Sequence, residues 1–280
     1  MLLVYLVSGI NENDEHPVGI QAAEQVLRPR GESEDVLAHT ASISENDQLF
    51  KLLNDAYFEA QEYPKGIPIV FVIDAHGSED GIYITGNPII PWKALTGYFC
   101  QLNKYSKMNL ILILGSCHGL QGLKMIESGE PAPFLCLFGP RGRINSYKLQ
   151  CFYRDFFTMF LNNKKLDDIL KPLMEQYRDE IYFSTASGML KEVYKKYYGN
   201  KHSLERQRKR LSKKLKKTKR LSTDVVNERL HLLRDEQKFS RKMFDEFTSK
   251  FFMFDEIPEN KSRYSYFNFD NIVLGNHIDS

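Results

Sequence analysis

The apolar and polar positions of this chain change their rhythm once, near residue 185. Over the first 145 residues, short continuous apolar runs alternate with amphipathic segments, the pattern of an α/β domain with a parallel sheet. Leu2–Ser8 reads as a strand closed by the turn-rich Gly9-Ile10-Asn11-Glu12-Asn13-Asp14. Helical spacing follows over Val18–Leu27, then a short strand at Asp35–His39 and a helix over Glu45–Gln61 with Ser44 as its cap. Ile67–Asp74 and Leu110–Leu114 are apolar and rich in β-branched residues, as strands buried on both faces should be. Between them, Ile82–Ile90 predicts a hairpin turning at Gly86-Asn87, and Pro91–Tyr105 a helix with Pro91 in its first turn. A short helix over Gln121–Glu127 and a strand over Phe134–Phe138 come next, the strand running into Gly139-Pro140-Arg141-Gly142-Arg143. Tyr147–Leu161 and Leu166–Tyr177 complete the set as helices packed on the sheet.

From Thr185 on, the periodicity is that of long helices. Lys201–Arg220 places Leu204, Leu211 and Leu215 among almost uniformly basic or polar neighbours. Thr223–Phe252 continues as helix to near Pro258, and the aromatic-rich Ser262–Leu274 is expected to run extended and pack back on the body. The pattern divides the chain into a body, residues 1–200, and a basic helical extension, residues 201–280. No internal repeat is visible.

Composition changes this picture little, and charge changes it locally. An apolar share of 42% with 26% charged residues is ordinary for a globular protein. No apolar run reaches the ~18 residues of a membrane span. The early run Leu2–Val7 lacks the basic start and cleavage site of a signal peptide, and Glu12, Asp14 and Glu15 follow it. These features predict a cytoplasmic chain without a membrane partner. Net charge is +2, yet Lys201–Ser222 alone holds eleven Lys and Arg against one Glu. The four cysteines (Cys100, Cys117, Cys136, Cys151) show no zinc-site spacing, so no metal or other cofactor is expected. Three of them lie in apolar or aromatic runs, where a cysteine is an inert small hydrophobe. Cys117 does not.

The two strongest strands each end in a reactive residue followed by glycine. One gives Asp74-Ala75-His76-Gly77, the other Gly115-Ser116-Cys117-His118-Gly119. In an open parallel sheet, ligands bind in the crevice outside the carboxyl ends of the strands. If these strands are neighbours, His76 and Cys117 share that crevice, and an imidazole beside a thiol promotes the attacking thiolate. Gly77 lets its N–H approach a substrate carbonyl and, with the N–H of Cys117, would form an oxyanion hole. The simpler alternatives are a buried thiol and a satisfied core histidine; the paired motif favours catalysis. His118 is ambiguous: it could lie near the site, but its side chain should point away from that of Cys117, in a structural or supporting position.

His-Gly and Ser-Cys-His-Gly at two strand ends resemble the clan of caspases, metacaspases and CHAT-type caspase-like domains. The 41-residue separation compares with roughly 50 in the caspase signature. Gly115-Ser116-Cys117-His118-Gly119 is nearest to the metacaspase form, and Leu6-Val7-Ser8-Gly9-Ile10-Asn11 looks like a metacaspase first strand. The resemblance covers roughly residues 1–180. It implies an α/β caspase-like fold, an open, mostly parallel sheet flanked by helices, here with a C-terminal helical extension. It also implies a cysteine endopeptidase working through Cys117 and His76, with Gly77 in the oxyanion hole and no metal cofactor. Bacterial proteins of this type serve in defence and are switched on by a partner or a small signal. Gly115-Ser116 replaces the Gln-Ala of true caspases, and Gly119–Ala132 is too short for a processing linker. Strict Asp specificity and two-subunit maturation are therefore not implied.

Asp74, two residues before His76 on the same side of the strand, reads as orienting an imidazole, lining the substrate cleft, or simply ending the strand in an N-cap role. Substrate selection has two readings. Asn11, Asn13, Asp14 and Glu15 follow the first strand and form an acidic set suited to a basic P1 residue, the preferred reading. Arg141 and Arg143 follow a later strand and suit an acidic one. Either set, read without function, is a solvated loop. The basic stretch Lys201–Arg220 reads first as a solvated helix face, next as a regulatory or self-cleavage site, and last as a nucleic-acid contact. The partners expected are a protein or peptide substrate and an activating protein or small molecule. The rival reading of the whole is a degenerate caspase-like domain used as a signalling or interaction module.

Overall fold

The computed structural model describes residues 1–10, 18–31, 35–127, 129–162, 166–198 and 241–273. The loop 11–15, the basic stretch 201–220 and the first part of the helix expected over Thr223–Phe252 lie outside the described residues. The chain forms two compact units. The first is Met1–Glu127 with Ala132–Ala186; the second is Ser128–Pro131 with Ser187–Ser280.

The first unit is built on β1 (Leu2–Ser8), β2 (Val36–Ser42), β3 (Ile69–Asp74), β7 (Leu110–Leu114), β8 (Cys136–Pro140) and β9 (Ile181–Thr185). They form one sheet in the order β2-β1-β3-β7-β8-β9, parallel except for the last pair. This is the open, mostly parallel sheet flanked by helices that the alternating pattern implied. Strands β1, β3, β7 and β8 are buried along their whole length, which explains their unbroken apolar runs. Edge strand β2 alternates half-buried and exposed positions after Val36.

Alternate residues of each strand supply two cores. One face carries Leu3, Tyr5, Val7, Phe71, Ile73, Leu112 and Leu114, packed with α2 (Asn46–Ala60) and α3 (Thr96–Tyr105). The other carries Val4, Leu6, Val72, Ile113 and Phe138 under α1 (Val18–Gly31), α4 (Ser146–Asn162) and α5 (Leu166–Tyr177). Phe138, Phe152, Phe156 and Phe157 dominate this second core, each worth roughly 1.5–3 kcal/mol for burial of its side chain.

Several boundaries differ from the sequence expectation, each for a local reason. Helix α2 begins after Glu45, not Ser44, because the Gln48 side chain accepts from the backbone N–H of both residues and closes a capping box on Glu45. Pro91 closes a strand, and the helix expected from it starts as a 3-10 turn at Trp92–Leu95 before α3. The short helix after Cys117 is a 3-10 segment, Gly119–Met125. The strand expected at Phe134–Phe138 is shifted to Cys136–Pro140, and the unexpected β9 pairs antiparallel beside it. The hairpin at Ile82–Ile90 is one half of a three-stranded ribbon of β4 (His76–Gly77), β5 (Gly81–Tyr83) and β6 (Ile90–Pro91).

In the second unit, residues of α6 (Ala186–Tyr198) and the helical stretch 241–251 enclose an aromatic core. Phe252 stacks on Tyr264 at 4.1 Å, and Phe244 lies against Tyr194, Phe267 and Phe269. Asn260 Nδ2 donates to the Phe252 carbonyl (2.8 Å), and Lys250 pairs with Glu130. The expected extended tail is instead broken into helical turns at Asn260–Arg263 and Phe269–Ile272. Phe267, Phe269 and Ile272 are buried, so the apolar signal was right and the backbone expectation wrong. No helix among the described residues is long and apolar enough to cross a membrane.

Candidate active site

Register fixes where the two motifs meet. The β3–β7 pairing runs from Ile69 opposite Leu110 to Ile73 opposite Leu114, and just beyond it the Gly115 N–H donates to the Ile73 carbonyl (2.8 Å). Both strands stop at one level of the sheet. Asp74-Ala75-His76-Gly77 and Gly115-Ser116-Cys117-His118 therefore leave the same carboxyl edge from adjacent strands.

The motifs touch at Gly77. A Cβ on this residue would lie 2.1 Å from the Cys117 carbonyl oxygen and 2.7 Å from the Ser116 Cβ. No side chain fits there, so the glycine is required by the close approach of two backbones. The turn carrying Cys117 is tight. Gly119 N–H returns to the Ser116 carbonyl (2.9 Å), His118 sits in the left-handed region (φ 60°), and its N–H donates to the Gly142 carbonyl (3.0 Å). A left-handed non-glycine residue costs roughly 1–2 kcal/mol, which these bonds offset.

On the other side, His76 and Gly77 are the first strand of the ribbon, His76 opposite Tyr83. The two rings stack with centroids 5.2 Å apart and planes 17° from parallel. The loop after Gly77 is tied to the elements around Cys117. Lys124 Nζ, from the segment following Cys117, donates to the Glu79 carbonyl (2.6 Å), which also receives Trp92 Nε1 (3.3 Å).

Cys117 is half-buried and His76 likewise, whereas Cys136 is fully buried and its thiol is pushed well up by desolvation. Thiol exposure thus separates Cys117 from Cys136, though Cys100 and Cys151 are also half-buried. Among the described residues no hydrogen bond joins Cys117 to His76 in this structure, and catalytic contacts of unliganded enzymes are often long. Among the described residues no group of three or more His, Cys, Asp and Glu is placed to hold a metal.

The remaining predicted residues are scattered. Asp74 is 2% exposed, on the α4 side of the sheet, paired across β1–β3 with Ser8. Its charge adds to burial in pushing the Tyr153 phenol well above its ordinary value. Arg141 is exposed and lies over the Tyr182 ring at 5.1 Å; Arg143 is exposed. Gly142, between them, is the residue that holds His118, which puts this loop beside the turn that carries Cys117. Asn13 and Asp14 lie outside the described residues. No residue pattern singles out Tyr83, Lys124 or Tyr153. Each lies in an expected element, Tyr83 in the hairpin and Lys124 and Tyr153 in helices, which marks none of them as functional.

No protein-family model matches the sequence, and no curated protein matches it. Among solved structures, the Drosophila initiator caspase Dronc superposes with a TM-score of 0.49 at 13% identity, over 66% of this chain and 78% of that chain.

Proposed function

We propose that the chain is a cysteine endopeptidase of the caspase-like type, with Cys117 as nucleophile and His76 as its acid–base partner. The observation that carries this is the backbone contact at Gly77, which brings a His-Gly and a Ser-Cys-His-Gly strand end together at one sheet edge. In the reaction, His76 takes the Cys117 proton and the thiolate attacks the scissile carbonyl carbon. The N–H groups of Gly77 and Cys117 receive the negative oxygen of the tetrahedral intermediate. His76 then gives its proton to the leaving amine as the C–N bond breaks, leaving a thioester. Water, deprotonated by the same imidazole, releases the acid and restores the thiol. Each proton is carried by one imidazole, so no metal enters.

Activation by a partner or a small signal, which the resemblance implies, would act by raising the population of the state in which the two side chains meet. For the P1 residue, the basic preference now rests on the loop 11–15. The acidic one rests on Arg141 and Arg143, whose intervening Gly142 binds the nucleophile turn. Asp74 supports neither from its buried position.

The test is a mixed peptide library incubated with wild type and Cys117→Ala, cleavage sites read by mass spectrometry. Cleavage by wild type and none by the variant is expected. Lys and Arg at P1 would assign the loop 11–15; Asp and Glu would assign the arginines. Equal cleavage by both proteins would overturn the proposal. Silence from both, together with no labelling of Cys117 by a thiol-reactive peptide in any activating extract, would favour an interaction module.

A further inference from the structure

We propose that Tyr83 is a positioning residue that sets the plane of the His76 imidazole, an inference that rests on the catalytic reading of His76 and Cys117. His76 and Tyr83 face each other across β4–β5, and their rings lie 17° from parallel at 5.2 Å. Histidine has a broad, roughly two-fold torsion at its ring, so a half-buried imidazole on a two-residue strand would otherwise sample several planes. A stacked ring removes that freedom through the face of the imidazole. Both nitrogens stay on the ring edge, available for the proton taken from the thiol and given to the leaving amine.

A carboxylate in the orienting role would occupy one of those nitrogens. The acid nearest in sequence, Asp74, is buried on the α4 side of the sheet, in the field of Tyr153. Among the described residues no side chain hydrogen-bonds the His76 ring, and Tyr83 is the ring that contacts it. The ribbon makes the stack durable. β5 is paired on both sides, to β4 and to β6, and Ile82 and Ile90 anchor it in the core. Tyr83 is thus held by a different strand from the one whose side chain it restrains. The role belongs to the aromatic face, so a phenyl ring should serve as well as a phenol.

The experiment uses the full chain as wild type, His76→Ala, Tyr83→Phe and Tyr83→Leu. Alkylation of Cys117 by iodoacetamide at neutral pH is followed by mass spectrometry of the Cys117 peptide, which keeps Cys100 and Cys151 apart from it. On the best library peptide, kcat and KM are measured separately. His76→Ala should slow alkylation at least about tenfold, short of the ~10²-fold that a positioned acid–base group typically contributes to a full reaction. Tyr83→Leu should slow it about fivefold and lower kcat by a similar factor, with KM within about twofold, as expected for a misplaced group rather than lost binding. Tyr83→Phe should stay within about twofold of wild type throughout. Should Tyr83→Leu fail to fold, Tyr83→Ile takes its place, because a β-branched residue suits the strand without supplying a ring face.

Normal alkylation and kcat in the aliphatic variants, with His76→Ala impaired, would overturn the role of Tyr83 alone. So would a Tyr83→Phe as damaged as Tyr83→Leu. A His76→Ala protein alkylated like wild type would overturn the catalytic pair, and the positioning role with it.

Discussion

On one face of the sheet, the carboxyl edge is closed by Ala75, Ile82, Ile84 and Ile90, all buried and all aliphatic. On the other, it ends in Ser8, Asp74 and Tyr153, equally buried and polar. The strands alternate between these surroundings residue by residue, so Asp74 and Ala75 belong to different cores. The apolar side holds the ribbon that carries His76. The polar side keeps a carboxylate close in sequence to the histidine yet packed against α4. A sequence reader sees Asp74-Ala75-His76 and thinks of an acid orienting an imidazole; the alternation of the strand sends the acid under the floor instead.

The comparison can be broken at four points. The largest effect is expected at Phe156, fully buried on the polar side and edge-on to Phe138 at 5.2 Å. Phe156→Ala should lower stability in chemical denaturation by about 3–5 kcal/mol. If it does not, the α4 layer is not what supports that face.

Gly77 comes next. Its obstacle is the backbone oxygen of Cys117, which cannot swing aside, so Gly77→Ala must displace one motif from the other. A shift of this kind should reduce kcat/KM by about 10²-fold or more, measured on a library-derived peptide. An active Gly77→Ala enzyme would mean that the close approach is unnecessary.

Gly115 offers the contrasting case, because its obstacle is a side chain. A Cβ there would lie 1.8 Å from the Tyr153 hydroxyl oxygen. Gly115→Ala should destabilise by about 1–3 kcal/mol, as overpacked cores do. Adding Tyr153→Phe removes the obstructing oxygen and should restore at least half of the loss, a coupling that a double-mutant cycle reads directly. Additive losses would show that the polar side is not organised around this contact. The smallest effect is expected at Gly142, where a Cβ meets nothing within 4 Å and the carbonyl to His118 is retained. Gly142→Ala should leave stability within about 0.5 kcal/mol of wild type, checked in the same denaturant series.

The sequence was most legible where one physical cause dominated. Continuous apolar runs marked β1, β3 and β7 because those strands are buried on both faces, and their ends located His76 and Cys117. Legibility failed where the determinant was pairing rather than period. β4 is two residues long and has no periodicity to read, so the strand that bears His76 was invisible. β9 was missed because its burial is mixed, and its antiparallel partner lies forty-odd residues earlier. The tail 262–274 was misread because aromatic density marks burial without choosing between extended and helical backbone. Stacking of Tyr83 on His76 needed register, which no local pattern supplies.

The order of strands has a last consequence, for the birth of the protein. β3 and β7 are neighbours in the sheet, yet Ile73 and Leu114 are separated by the ribbon and α3. A ribosome that has released only the first six strands has made the histidine loop without the strand that completes the site. Parallel pairing of this kind must close a long loop before it gains any contact, and it is slow. On the catalytic reading proposed above, the nascent chain cannot cleave its own unfolded neighbours until the centre of the sheet has formed. In refolding experiments, the susceptibility of Cys117 to alkylation should settle to its native value only with the slowest structural phase, an earlier settling being incompatible with assembly of the site by β3–β7 pairing.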